Sequence, residues 1–463
     1  MLKSIYSLIT ITFLFSFQSF AQIDEEDVLF VKDIYNTSLT ESSCHEWLRY
    51  LTKEIGGRLA GSPESMAAVS YTKQVLDTLG LSSTRLQECE VPHWTRGIKE
   101  EVRIVNSSSY GTTVLDALAL GNTIGTGENG LTGKVVEVFS LDEVRELGAA
   151  VKGKIVFFNR PMDPTSIRTF EAYGGAVDQR VFGASVAAEY GAVAVLVRSL
   201  TTRNDDIPHT GTCAYKEGVE KIPAIAISTN SSNLLSRLLK NEEVEVFIRN
   251  TSRMLEKKMS YNVIGEIKGS EFPDEIIVVG GHLDSWDVGE GAHDDGAGCV
   301  QAIQVMQTLK RINYKPKRTI RCVMFMNEEN GLGGGLAYAQ KSNDMNEFHL
   351  AAVESDAGGF SPRGFSCDAD PEVFNALFKS FYAFSPILEP YGVYLVKGGS
   401  GADISPLKSQ KGLLIGLRPD SQRYFDFHHT HTDTFEAVNK RELELGAAAM
   451  TSIVYLIDKY GLK

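Results

Sequence analysis

The chain predicts an α/β architecture: a mixed, mostly parallel sheet with helices on both faces, carrying an inserted β-rich unit. Three observations lead there. From about residue 261 onward, apolar strands alternate with amphipathic helices, the pattern of parallel strands joined by crossovers. Between about 115 and 249, β-branched runs recur at short spacing. Ahead of both, apolar residues return every three or four positions, as on one face of a helix. The 463 residues allow one or two large domains, and 43% hydrophobic with 23% charged residues fits neither a disordered nor a polytopic membrane chain.

In chain order, Lys3 precedes an apolar run over 5–17 and small residues at 19 and 21, a signal-peptide pattern with cleavage after Ala21. The run is shorter than the about 20 residues that span hydrocarbon, so no membrane span is expected in the mature chain. Export follows: secretion, the periplasm or, in a eukaryote, an endomembrane lumen. Helices are expected over 28–35, 45–55 and 63–79, the third capped by Ser62, opened by Pro63 and closed at Gly80. Strands over 84–91 and 101–106 lead to the insert. Its strands are expected over 134–139, 154–158, 192–197, 224–228 and 243–248, with one helix over 181–190. Strand 276–279 then leads to helix 299–312, and strand 319–326 to helix 335–341. Strands 350–353, 393–396 and 413–417 precede a final helix over 441–460. The division expected is a signal segment 1–21, the first part of a catalytic domain 22–114, the insert 115–255 and the rest of the catalytic domain 256–463.

A net charge of −13 repels phosphate backbones and anionic lipid, which excludes nucleic acid as a natural partner. The six cysteines include no Cys-x-x-Cys pair, which argues against a thiolate zinc site; Cys299 and Cys322 read as small core hydrophobes. Gly125 to Gly130 fits a dinucleotide fingerprint in letters only, since a strand follows it where a helix is required. No Gly-x-Ser-x-Gly elbow occurs, and His45-Glu46 lacks the second histidine of a zincin helix.

The chemistry gathers at strand ends. Strand 276–279 runs into His282 and Asp284, two apart on extended chain and facing one way, so that Asp284 could orient the imidazole. Asp294 and Asp295 sit in a glycine-flanked turn before the next helix. Glu328 and Glu329 follow another strand, Asp356 a third, and His428, His429 and His431 lie in the last loop. Open α/β sheets bind ligands beyond the carboxyl ends of their strands. So many carboxylates at one edge repel and desolvate one another unless cations neutralise them. Imidazole and carboxylate without thiolate point to zinc, with cobalt or manganese as substitutes.

The stretch Gly281 to Gly289, with Asp294-Asp295-Gly296, Glu328-Glu329, Asp356 and His429, resembles the co-catalytic di-zinc peptidase family that includes bacterial aminopeptidases and glutamate carboxypeptidases. Within it the likeness is greatest to the plasma glutamate carboxypeptidase branch. The resemblance implies a zinc-peptidase/phosphorylase-like fold with a protease-associated insert. It also implies two zinc ions per chain, short peptide substrates and a homodimer. By position, Asp294 would bridge the ions, His282 and Asp356 would complete one site, and Glu329 and His429 the other. Glu328 would be the general base, and Asp284 the partner of His282. The family pattern puts the last histidine four residues before an Asp-Thr pair, which selects His429 over His431. His209, Asp403 and His431 are candidates for substrate contact; His209 reads more readily as a turn residue, and Asp403 equally as a cap or turn residue. The activity expected is hydrolysis of dipeptides. Alternatives are an aminopeptidase on longer peptides, a cyclase-like acyltransferase and an inactive receptor-like protein.

Overall fold

A computed structural model describes residues 24–462. The expected signal segment lies outside them. No helix among the described residues is long and apolar enough to cross a membrane.

Two eight-stranded sheets organise the molecule. The first runs Ser83–Thr95, Arg253–Ile267, Arg318–Phe325, Phe272–His282, Phe348–Glu354, Leu413–Pro419, Pro362–Asp368, Tyr394–Lys397. Its four central strands are parallel, and every side chain of Arg318–Phe325 is buried, as expected where helices cover both faces. The helices Glu25–Thr40, Ala297–Arg311 and Lys440–Tyr460 pack on one face, where Val279, Ile303, Met324, Val353 and Ile453 share the largest core. The parallel order sends His282, Glu328-Glu329 and Asp356 to one edge, because each follows the carboxyl end of a central strand.

Local chemistry explains the element boundaries. Ser62 accepts the Ser65 amide at 3.0 Å to start Pro63–Thr78. The expected helix over 45–55 is Cys44–Arg49 continued by a wider π turn, Tyr50–Ile55. Strand Pro362–Asp368, absent from the sequence expectation, has only two exposed or half-exposed positions and lies antiparallel to Leu413–Pro419.

The second sheet runs Gly111–Val114, Glu101–Ser107, Glu245–Arg249, Leu131–Val138, Ile155–Phe158, Ala194–Arg198, Ala224–Ile227, Ala117–Ala119. It departs from the expectation in two ways. Its strands begin at Glu101, ahead of the change of texture near 115, because Glu101–Ser107 pairs with Glu245–Arg249. It is also not chiefly β: helices Leu141–Leu147, Val177–Glu189 and Thr229–Leu239 flank a parallel centre. Ser140 and Ser228 cap two of them by accepting the Glu143 and Ser231 amides at 3.1 Å. The second body carries two apolar cores of its own. All six cysteines are free and buried.

Candidate metal centre

The site is assembled from four turns and one long loop. His282 ends strand Phe272–His282, and its Nε2 lies 3.2 Å from Asp294 Oδ1 and 3.5 Å from Asp356 Oδ1. His429, in the loop after Tyr424–Asp426, puts its Nε2 3.2 Å from Asp294 Oδ2 and 3.2 Å from Glu329 Oε2. Asp294 thus presents one oxygen to His282, which also neighbours Asp356, and the other to His429, which also neighbours Glu329. His428 stacks on His429 with ring centroids 3.5 Å apart, and its Nε2 is 3.8 Å from Asp294 Oδ2.

Three further carboxylates hold these turns by their backbones. Asp284 accepts the amides of Asn327, Glu328 and Glu329 at 2.7, 3.0 and 3.3 Å. Asp295 accepts those of His282 and Gly298, both at 3.0 Å. Asp433 accepts those of His293 and Asp294 at 2.7 and 3.1 Å. The orienting partner of His282 is therefore not the Asp284 carboxylate, whose Oδ1 is 3.8 Å from Nδ1, but the Asp284 carbonyl at 2.9 Å. The carboxylate is engaged elsewhere, on the turn that carries the two glutamates. Sequence reasoning passed over Asp295 and Asp433 in this role; each stands beside or within a motif it had singled out.

Arg58 is fully buried and ties the loop together, donating to the carbonyls of Leu283, Glu290 and Gly291 at 2.6, 2.8 and 2.9 Å. Glu328 lines a cleft of about 490 Å³ whose other wall is Asn122, Thr212 to Tyr215 and Lys221 of the second body. His209 is buried, its Nδ1 2.8 Å from the His428 carbonyl, which makes it a contact between the two bodies. Asp403 is buried near Glu354 and Glu328, with neither carboxylate oxygen hydrogen-bonded. His431 is exposed and does not join the cluster.

The electrostatics of the cluster call for cations. Burial would lower His282, yet Asp294 and Asp356 carry it well above the ordinary imidazole value. Burial opposed by Glu329 and Asp294 leaves His429 raised to about 9. Burial, then the Asp356, Glu329 and Asp294 carboxylates, push Glu328 well above the usual range, while burial and Asp294 bring Glu329 to about 7. Both imidazoles are drawn toward the positive form by the carboxylates around them. His282 Nε2, Asp294 Oδ2 and Glu329 Oε1 are buried without a hydrogen bond. Donors bound tetrahedrally to one zinc at about 2.0–2.2 Å stand about 3.3 Å apart, the spacing found here. The donor set fits such an ion, and three triads each bring ligand atoms within 4.8 Å of one another: His282, Asp294, Glu329; Asp294, His428, His429; and His282, Asp295, Asp356.

Carboxylates and imidazoles at the carboxyl edge of a parallel sheet, with an acidic residue facing a cleft, fit a metal-dependent hydrolase. Comparison with known proteins agrees. The family described as peptidase family M28 matches residues 262–454, and this chain belongs to it. Carboxypeptidase Q of Bos taurus is 32% identical over 451 residues, covering 95% of this chain and 92% of that protein. A probable leucine aminopeptidase 2 of Trichophyton verrucosum is 31% identical over 134 residues, 28% of this chain and 26% of that protein. The crystal structure of a peptidase M28 precursor from Shewanella amazonensis superposes with a TM-score of 0.87 at 32% identity, covering 95% of this chain and 98% of that one. A zinc aminopeptidase from Bacillus subtilis shares the fold at a TM-score of 0.64 and 19% identity, covering 89% and 94%.

Proposed function

We propose that the chain is an exported di-zinc exopeptidase that hydrolyses short peptides, dipeptides foremost. The observation that carries this is the division of the Asp294 oxygens between two histidine–carboxylate pairs. In this reading His282 and Asp356 hold one ion, His429 and Glu329 the other, and Asp294 both. Two zinc ions bound there supply Lewis acidity and lower the pKa of water toward about 7.

The chain's own residues do the rest. Glu328, held by the Asp284 clamp and facing the cleft, takes the proton of the attacking water and returns it to the leaving amine. The second body is a protease-associated unit that walls one side of the cleft, an arrangement that favours short substrates. Relatives named for action at either terminus support an exopeptidase. A leader over 1–21 and a homodimer belong to the same reading. An inactive receptor would have lost ligands or base, and all six residues are present here.

Wild-type protein should contain zinc by elemental analysis and cleave unblocked dipeptides, and chelator should abolish that activity. Glu328→Gln should keep the zinc and lose about 10²–10⁴ in kcat; a variant near the wild-type rate would remove Glu328 from the role of base.

A further inference from the structure

The two histidines facing the candidate ions are supported differently. A metal-binding imidazole normally donates its second ring N–H to a carboxylate or a carbonyl, which fixes tautomer and orientation. For His282 that acceptor is the Asp284 carbonyl of its own strand end, at 2.9 Å. For His429 it is the Thr210 carbonyl, 3.3 Å from Nδ1, contributed by the second body. Thr210 is itself fixed: its amide donates to the His429 carbonyl at 3.0 Å and its hydroxyl to the Ala119 carbonyl at 2.8 Å. His209, one residue earlier, reaches the His428 carbonyl at 2.8 Å.

The contact depends on Gly211. Its φ is +129°, and a Cβ there would stand 2.7 Å from His429 Nδ1 and 2.5 Å from Arg180 Cζ, so a larger residue displaces the imidazole or the guanidinium. Arg180, also of the second body and buried, brings Nη1 within 3.5 Å of Nδ1 and closes the same side of the ring. His429 has φ +62°, uncommon outside glycine, and is kept there by these neighbours.

We infer that Thr210, Gly211 and Arg180 of the second body are positioning residues for the metal held by His429 and Glu329, while the metal held by His282 and Asp356 is independent of that body. The inference rests on the two-ion reading above. It gives the second body a part in metal binding as well as in shaping the cleft.

The test is zinc binding by the full-length chain, measured by competition with a chromophoric chelator and by elemental analysis after dialysis. In Gly211→Ala one zinc should bind about 10–100-fold more weakly and the other should keep its affinity, so the content falls from two per chain to one. Gly218→Ala, at a positive φ but with nothing within 4 Å, should retain both. Thr210→Val, which removes only the hydroxyl bond to Ala119, should weaken the same single zinc to a smaller degree and covers the case in which Gly211→Ala does not fold. Two zincs at wild-type affinity in both Gly211→Ala and Thr210→Val, or equal weakening of both zincs, would overturn the inference and leave the functional reading standing. A wild-type chain that binds no zinc overturns both.

Discussion

At the residue scale, Asp284 separates what an alternating pattern can reveal from what it cannot. The two-residue spacing from His282 correctly places both on one side of an extended chain, and it suggests a carboxylate–imidazole pair. Three backbone amides compete for the same carboxylate and take it. Those amides become visible only when the strand ending at Phe325 lies beside the one ending at His282. Asp284→Ala should therefore lower kcat by about 10–100-fold through a displaced Glu328 and cost about 1–3 kcal/mol of stability through unsatisfied amides. Zinc facing His282 should survive, since its contact is a main-chain carbonyl. Steady-state kinetics, zinc content and urea denaturation check this; zinc loss with unchanged kcat would contradict it. His282, Glu329 and Asp356 are legible because each stands at a strand end, and Asp294 because it lies in a glycine-flanked turn. Arg180 and the partner of His209 are not, since both come from contact with a loop about 220–250 positions later.

At the element scale, the first and last described helices are joined at one buried point. Asp27 of Glu25–Thr40 accepts from Tyr455 Oη and Lys459 Nζ, both at 2.6 Å, and from Tyr460, all on Lys440–Tyr460. Burial would raise its proton affinity, but the Lys459, Tyr455 and Tyr460 hydrogen bonds hold it below the ordinary carboxylate value. A folded-state pKa below the unfolded one adds stability above about pH 4 that is lost as pH falls through the folded value. Asp27→Asn should cost about 1–3 kcal/mol at neutral pH, a loss that shrinks below pH 4; thermal unfolding across pH measures it. Elements such as this final helix were readable from periodicity alone. Helices Leu141–Leu147 and Thr229–Leu239 were missed because β-branched neighbours dominate their windows, although Ser140 with Glu143 is a readable cap.

At the scale of the whole molecule, the acid-rich edge makes stability depend on metal and pH together. Burial, then Asp356, raises Glu354 to about 7; burial also brings Asp433 to about 8, against the His293 amide that lowers it. Carboxylates raised in the fold are best tolerated at low pH, and their penalty grows as pH climbs from the unfolded value near 4 through the folded one. Chelated protein should therefore melt at progressively lower temperature between pH 5 and 8. Restoring zinc at 100 times its dissociation constant should recover about 2.7 kcal/mol per site. A melting temperature of chelated protein that is flat or rising over that range would count against this account.

The passage between the two sheets also has a consequence. The chain leaves the first sheet at Thr95 and returns at Arg253, residues that face each other across one ladder, and the Ser252 hydroxyl donates to the Arg96 carbonyl at 3.0 Å. Outgoing and incoming strands thus meet at a single narrow neck, so changes in length within the second body's own loops leave the pairing of the first sheet in place. The outer wall of the cleft can thus vary as a cassette only where the replacement keeps the apolar seat against Phe360, Tyr424 and Phe425 and again offers His429 a carbonyl.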